Sequence, residues 1–251
     1  MNTILEHGRR IALIVLTLAL FASPMLSALA EVNAGQDLLV PTTERIVKVR
    51  LFAVPGPTRR PAVLLLHGAG AIDPAAAGFR NHVAILNQLG IDAYAVYYYS
   101  DADLPLMSSP DHAIRSRTFV SRLDAWAKLV SEVGAFVRAR PENSGRIGLL
   151  GFSNGGTLAL NTAGMDPGFS ALVTYYGSFP TNMKFRHLPP LLALHGEADS
   201  VIPIGDARYV IKYAQALGGY AELLAYPGMG HGFDSEDARI HAGMLFRQRL
   251  F

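Results

Sequence analysis

The sequence predicts an α/β protein, one domain built on a mostly parallel sheet that is doubly wound with helices on both faces. Three observations carry this. Strand-like and helix-like stretches alternate from about residue 45 to the C-terminus. Residues 62–66 (AVLLL) and 191–194 (LLAL) are apolar throughout, as strands covered on both faces are. Half of the 251 residues are hydrophobic and 17% are charged, enough to bury a core and too apolar for a disordered chain. No repeat, linker or charge block divides the chain.

The order of elements begins with an address. Residues 1–10 are polar and end in Arg9 and Arg10, residues 11–21 are apolar, Pro24 interrupts, and Ala28-Leu29-Ala30 fits a small-x-small cleavage site. Basic, then apolar, then cleavable is the order of a secretory signal. Residues 1–30 are thus expected to be a signal peptide, residues 31–251 the mature domain, and the location secreted or periplasmic in a bacterial cell. An uncleaved N-terminal membrane anchor is the alternative, since a span needs ~20 apolar residues. Ser23, Pro24 and Ser27 weaken it, so no stable insertion is expected after cleavage. The absence of cysteine suits an oxidising compartment and excludes a disulfide scaffold, a thiolate metal site and a cysteine nucleophile.

Residues 45–54 alternate as a half-buried strand does, and Pro55-Gly56-Pro57 ends them. After the 62–66 strand, Phe79, Val83, Leu86 and Leu89 recur at helical spacing. Residues 93–97 read as a strand, and 97–111 as the longest polar loop. Residues 114–139 form a long amphipathic helix with a stripe through Leu123, Trp126, Leu129, Val130, Val133 and Val137. Strands follow at 146–150, 170–176, 191–194 and 220–226, and helices at 154–163, 207–217 and 236–250. Only residues 177–190 separate two of these strands, which leaves no room for a large lid domain.

Ligands in such sheets sit at the carboxyl ends of the strands. After Leu150 comes Gly151-Phe152-Ser153-Asn154-Gly155, a G-x-S-x-G placed between strand and helix. The tight turn needs small neighbours and would hold Ser153 above a helix N-terminus, where negative charge is favoured. After Leu194 comes Asp199, an acid able to orient an imidazole, with Glu197 as competitor and Asp206 as the better helix cap. After Tyr226 comes Gly230-His231-Gly232, a histidine free to act as general base. His67 and His195 end strands and read as structural hydrogen-bonders; His82 and His241 fall within helices. Small residues at His67-Gly68-Ala69-Gly70 would let the Ala69 amide, paired with that of Asn154, reach a developing oxyanion. The order Ser153, Asp199, His231 is that of the α/β-hydrolases. Tyr98 or Tyr99 would border the site, and Met183, Phe185 and Phe233 would line an acyl pocket or merely pack.

The stretches LLLHGAG, GFSNGG, LHGEADSVIP and YPGMGHGF resemble the α/β-hydrolases, and within them the dienelactone hydrolase-like group, over roughly residues 45–250. The resemblance implies a single-domain α/β-hydrolase fold, Ser153 as nucleophile, Asp199 as acid, His231 as base, and backbone at Ala69 and Asn154 as oxyanion hole. The founding members use a cysteine where this chain has Ser153, and carry an early glutamate where this chain has only His67-Gly68-Ala69-Gly70. Serine esterase-like chemistry is therefore expected, on a small-molecule ester or acyl substrate, with no metal or organic cofactor. Peptide or amide cleavage and acyl transfer would use the same three residues. A catalytically inactive binding protein is the reading of another class. A net charge of +2 without basic runs speaks against nucleic acid.

Overall fold

A computed structural model describes residues 35–56, 58–70, 76–179 and 184–251. The expected signal peptide and Met183 lie outside the described residues. Eight strands form one sheet: β1 (Gln36–Pro41), β2 (Ile46–Phe52), β3 (Arg60–Leu66), β4 (Asp92–Val96), β5 (Asn143–Phe152), β6 (Ala171–Tyr175), β7 (Leu191–Gly196) and β8 (Ala221–Tyr226). Their spatial order is β1-β2-β4-β3-β5-β6-β7-β8. The first two pairings are antiparallel and the other five parallel. The described helices are α1 (Ala77–Gln88), α2 (Asp103–Met107), α3 (His112–Ala139), α4 (Asn154–Met165), α5 (Ile204–Ala216) and α6 (Glu236–Leu250).

The apolar run of β3 is buried along its whole length because both faces are covered. Side chains alternate across a strand. Ala62, Leu64 and Leu66 join the core cluster that also takes Trp126 of α3, Leu158 of α4 and Val210 of α5. On the opposite face, a side chain at Gly148 of β5 would run into Phe246 of α6 and Val63 of β3. The helices therefore lie on both faces, as the alternation of elements predicts.

Two elements depart from the expectation. β1 was not anticipated: in QDLLVP only Val40 is buried, so its pattern carries no apolar periodicity, and the strand exists through its pairing with β2. The 97–111 stretch is not a plain loop, because α2 interrupts it. Asp103 turns inward there and accepts from Ser100 N (2.9 Å), Arg122 Nε (3.1 Å) and Trp126 Nε1 (3.2 Å). A buried carboxylate with these donors ties α2 to α3, a reason that no local pattern reveals. The long helix starts at His112, two residues before the expected start, because the Asp111 carboxylate accepts from Ala113 N at 2.7 Å and caps it.

Candidate active site

β5 ends at Phe152, and α4 begins at Asn154. Between them Ser153 sits at φ +52°, ψ −119°, a region costly for a residue with a side chain. The turn is held from all sides. Ser153 N donates to Tyr175 O (2.9 Å), and Gly156 N and Thr157 N donate to Ser153 O (2.8 and 3.1 Å). The motif's glycines are needed for close approach. A Cβ on Gly155 would lie 2.2 Å from Leu66 O, and one on Gly151 would lie 2.1 Å from Gly155 O. With its backbone fixed this way, Ser153 turns its hydroxyl into a cavity of about 870 Å³ at the carboxyl ends of the strands.

His231, from the loop after β8, places Nε2 3.0 Å from Ser153 Oγ and Nδ1 2.9 Å from Asp199 Oδ2. The Asp199 side chain is fully buried, whereas Glu197 is exposed, and burial separates the two competing acids. Asp199 Oδ1 accepts from Val201 N and Ile202 N, both at 2.9 Å. Burial pushes its carboxyl up, but the Ile202 amide, the His231 ring and the Val201 amide together hold it below the usual carboxylate range. It is therefore an ionised acceptor, and Nδ1 of His231 donates to it. That leaves Nε2 free to accept from the serine hydroxyl. Asp206 does not cap α5; it stands in the first turn, and Pro203 occupies the cap position.

Ala69 and Asn154 line the same cavity as Ser153 and His231. Among the described residues, neither backbone amide donates to a protein acceptor. The loop carrying Ala69 rests on His67, whose Nδ1 donates to Gly68 O at 2.8 Å. Burial drives this ring's pKa down to about 4, so it is neutral near pH 7.

Three expected substrate contacts are placed elsewhere. Tyr98 is fully buried, stacks on His67 with centroids 4.1 Å apart, and donates its hydroxyl to His67 O at 2.7 Å. It supports the Ala69 loop from beneath. Tyr99 lines a separate cavity of about 560 Å³ with His67. Phe233 is buried against Tyr175, Tyr176 and Tyr226 and does not line the main cavity. In each case aromatic packing claims the ring. Phe185 does line the cavity. Two features escaped the sequence reading. Tyr176, at φ +40°, sets its ring 4.8 Å from that of His231, and only its backbone conformation marks it out. The first turns of α3 also line the cavity, and the spacing of His112, Arg115 and Phe119 on one helix face was the available signal.

An eight-stranded, mostly parallel sheet with a G-x-S-x-G turn after β5 and no large insertion before β7 defines a lidless α/β hydrolase. Residues 51–244 match the family model described as Dienelactone hydrolase family, so the chain belongs to the dienelactone hydrolase family. Esterase LipC of Mycobacterium tuberculosis is 42% identical over 80 residues, 28% of this chain and 19% of LipC; the chain thus spans less than a fifth of that relative's length. The dienelactone hydrolase of Anabaena variabilis has a similar structure (TM-score 0.68, 20% identity, 86% of this chain and 99% of that one). So does XC6422 of Xanthomonas campestris, described as an α/β serine hydrolase without lid (TM-score 0.63, 19% identity, 87% and 96%).

Proposed function

We propose that this chain is a serine hydrolase that cleaves a carboxylic ester or related acyl bond through an acyl-enzyme. The observation that carries the reading is the chain of hydrogen bonds from Asp199 through His231 to Ser153. His231 Nε2 takes the hydroxyl proton as Ser153 Oγ attacks the carbonyl carbon. The oxygen that becomes negative meets the Ala69 and Asn154 amides and the positive end of α4. Asp199 stabilises the imidazolium. His231 then gives the proton to the leaving oxygen, and a water activated by the same ring releases the acid. Labelling with a fluorophosphonate, followed by digestion and mass spectrometry, tests this. The expected result is stoichiometric adduct on Ser153, lost in His231→Ala; a folded protein that takes no label refutes it.

Residues 1–30 export the chain in this reading, supported by their basic, apolar, cleavable order. N-terminal sequencing of protein recovered from the periplasm of an expressing bacterium should begin at Glu31. An intact Met1 on membrane-bound protein would favour the anchor.

A further inference from the structure

The cavity at Ser153 runs on well beyond the reacting atoms. α4 lines it with Asn154, Asn161, Gly164 and Met165, which share one helix face. At 1.5 Å per residue, the wall from Asn154 to Met165 is ~17 Å long. His112 to Leu123 of α3 forms a second wall of the same ~17 Å. Phe185 packs against Gly164 at the far end, where a Cβ would lie 2.1 Å from its ring.

The chemistry of these walls is apolar where substrate would lie. Phe119, Val120 and Leu123 follow one another along α3, and Met165 faces the same cavity from α4. Val120 is 69% exposed and Met165 52% exposed, so packing of the core explains neither. Two of the polar groups among them are engaged with the protein, while His112 and Ser116 stand exposed on α3. Asn161 donates to Asp124 at 2.9 Å, and Arg115 donates to Pro110 O at 3.0 Å. Lys184 is exposed. Between these polar groups, Phe119, Val120, Leu123 and Met165 offer methylene-sized contacts along both walls.

The direction of the groove decides which half of an ester it takes. The leaving oxygen must receive its proton from His231, so the alcohol lies towards the loops after β7 and β8. Val201, Ile202 and His231 line the cavity on that side, while its long stretch follows α3 and α4, which pack on the β3, β5 and β6 part of the sheet. We propose that this groove is an acyl-chain subsite, and that the substrate is an ester of an extended apolar acid, octanoyl or longer. The inference rests on the serine-hydrolase reading above.

A series of p-nitrophenyl esters from acetate through butyrate to octanoate tests it, with the leaving group held constant. Full burial of a methylene would raise kcat/KM about fourfold. The groove leaves one side of the chain open, so a rise of about twofold per methylene is expected. Val120→Asp should lower the octanoate-to-acetate ratio about tenfold, whereas Ile46→Asp, on an exposed position of β2 that does not line this cavity, should leave the ratio as it is. A flat or falling series, or a ratio untouched by Val120→Asp, would overturn the subsite while Ser153 still takes a fluorophosphonate. Loss of that label in the unmodified protein would overturn the hydrolase reading itself, and the subsite with it.

Discussion

His195 Nε2 lies 2.8 Å from Ile202 O and 3.4 Å from Asp199 Oδ2, the same carboxylate oxygen that meets His231 Nδ1. Two imidazoles thus converge on one buried oxygen, while Asp199 Oδ1 is taken by two backbone amides. The carboxylate is held in place by its surroundings and does not depend on His231 for its position. Asp199→Asn should therefore preserve the fold and lower kcat on the order of 10³–10⁴-fold, because the amide disfavours the required tautomer and the imidazolium. His195→Leu should cost about 1–3 kcal/mol in denaturant unfolding by leaving Ile202 O without a partner. Its effect on kcat should be smaller than that of Asp199→Asn. Steady-state kinetics and urea titrations of both variants check this.

Ser153 and Gly155 make opposite predictions within one turn. Gly155→Ala forces a methyl to 2.2 Å from Leu66 O and 2.3 Å from His67 O, both backbone atoms with little freedom to retreat. A loss of about 3 kcal/mol or more is expected, together with misplacement of the Ala69 loop. Ser153→Gly removes the side chain from a positive φ and should gain about 1 kcal/mol while abolishing turnover. Thermal or urea unfolding that showed Gly155→Ala to be neutral would contradict the close approach.

Acid should destabilise this fold above the range in which carboxylates titrate. Burial lowers the pKa of both His67 and His82 to about 4. At His82 the backbone oxygen of Gly78 and the charge of Asp234 oppose burial, and Arg239 reinforces it. Unfolded, both rings would bind a proton near pH 6.5. The stability they contribute is complete above that pH and is lost as pH falls towards 4. The slope is up to ~1.4 kcal/mol per pH unit for each ring. Urea unfolding at pH 7 and pH 5 should show the fall, and His82→Gln should roughly halve its slope. Asp199, with a depressed pKa, adds acid sensitivity only below the ordinary carboxylate range.

Burial should also rank the ion pairs. Arg60 Nε meets Asp92 Oδ1 at 3.1 Å with the two side chains 10% and 4% exposed, and the same oxygen accepts from Val54 N at 2.8 Å. Asp92→Ala would strand the Arg60 charge and is expected to cost about 3–5 kcal/mol. The Asp37 and Arg50 pair at the sheet edge is exposed, and Asp37→Ala should cost under about 1 kcal/mol. Equal losses in urea titrations would show that burial does not govern these pairs.

The sequence by itself determined the alternation of elements, the covered centre of the sheet, and the strand ends at Ser153, Asp199 and His231. These are local facts. Continuous apolar runs mark strands buried on both faces, helical spacing marks stripes, and a small-residue turn between strand and helix marks a nucleophile position. The tertiary structure alone decided what depends on contacts between distant residues. It chose Asp199 over Glu197 by burying one and exposing the other. It formed β1 by pairing a patternless segment with β2. It drew Tyr98 beneath His67 and Phe233 among the tyrosines, because large rings are taken up by packing wherever a core will cover them. It also set the first turns of α3 beside α4, so that Phe119, Val120 and Met165 line the cavity of Ser153. A side chain's neighbours in a parallel sheet come from strands far apart in the chain, and no single stretch of sequence carries that information.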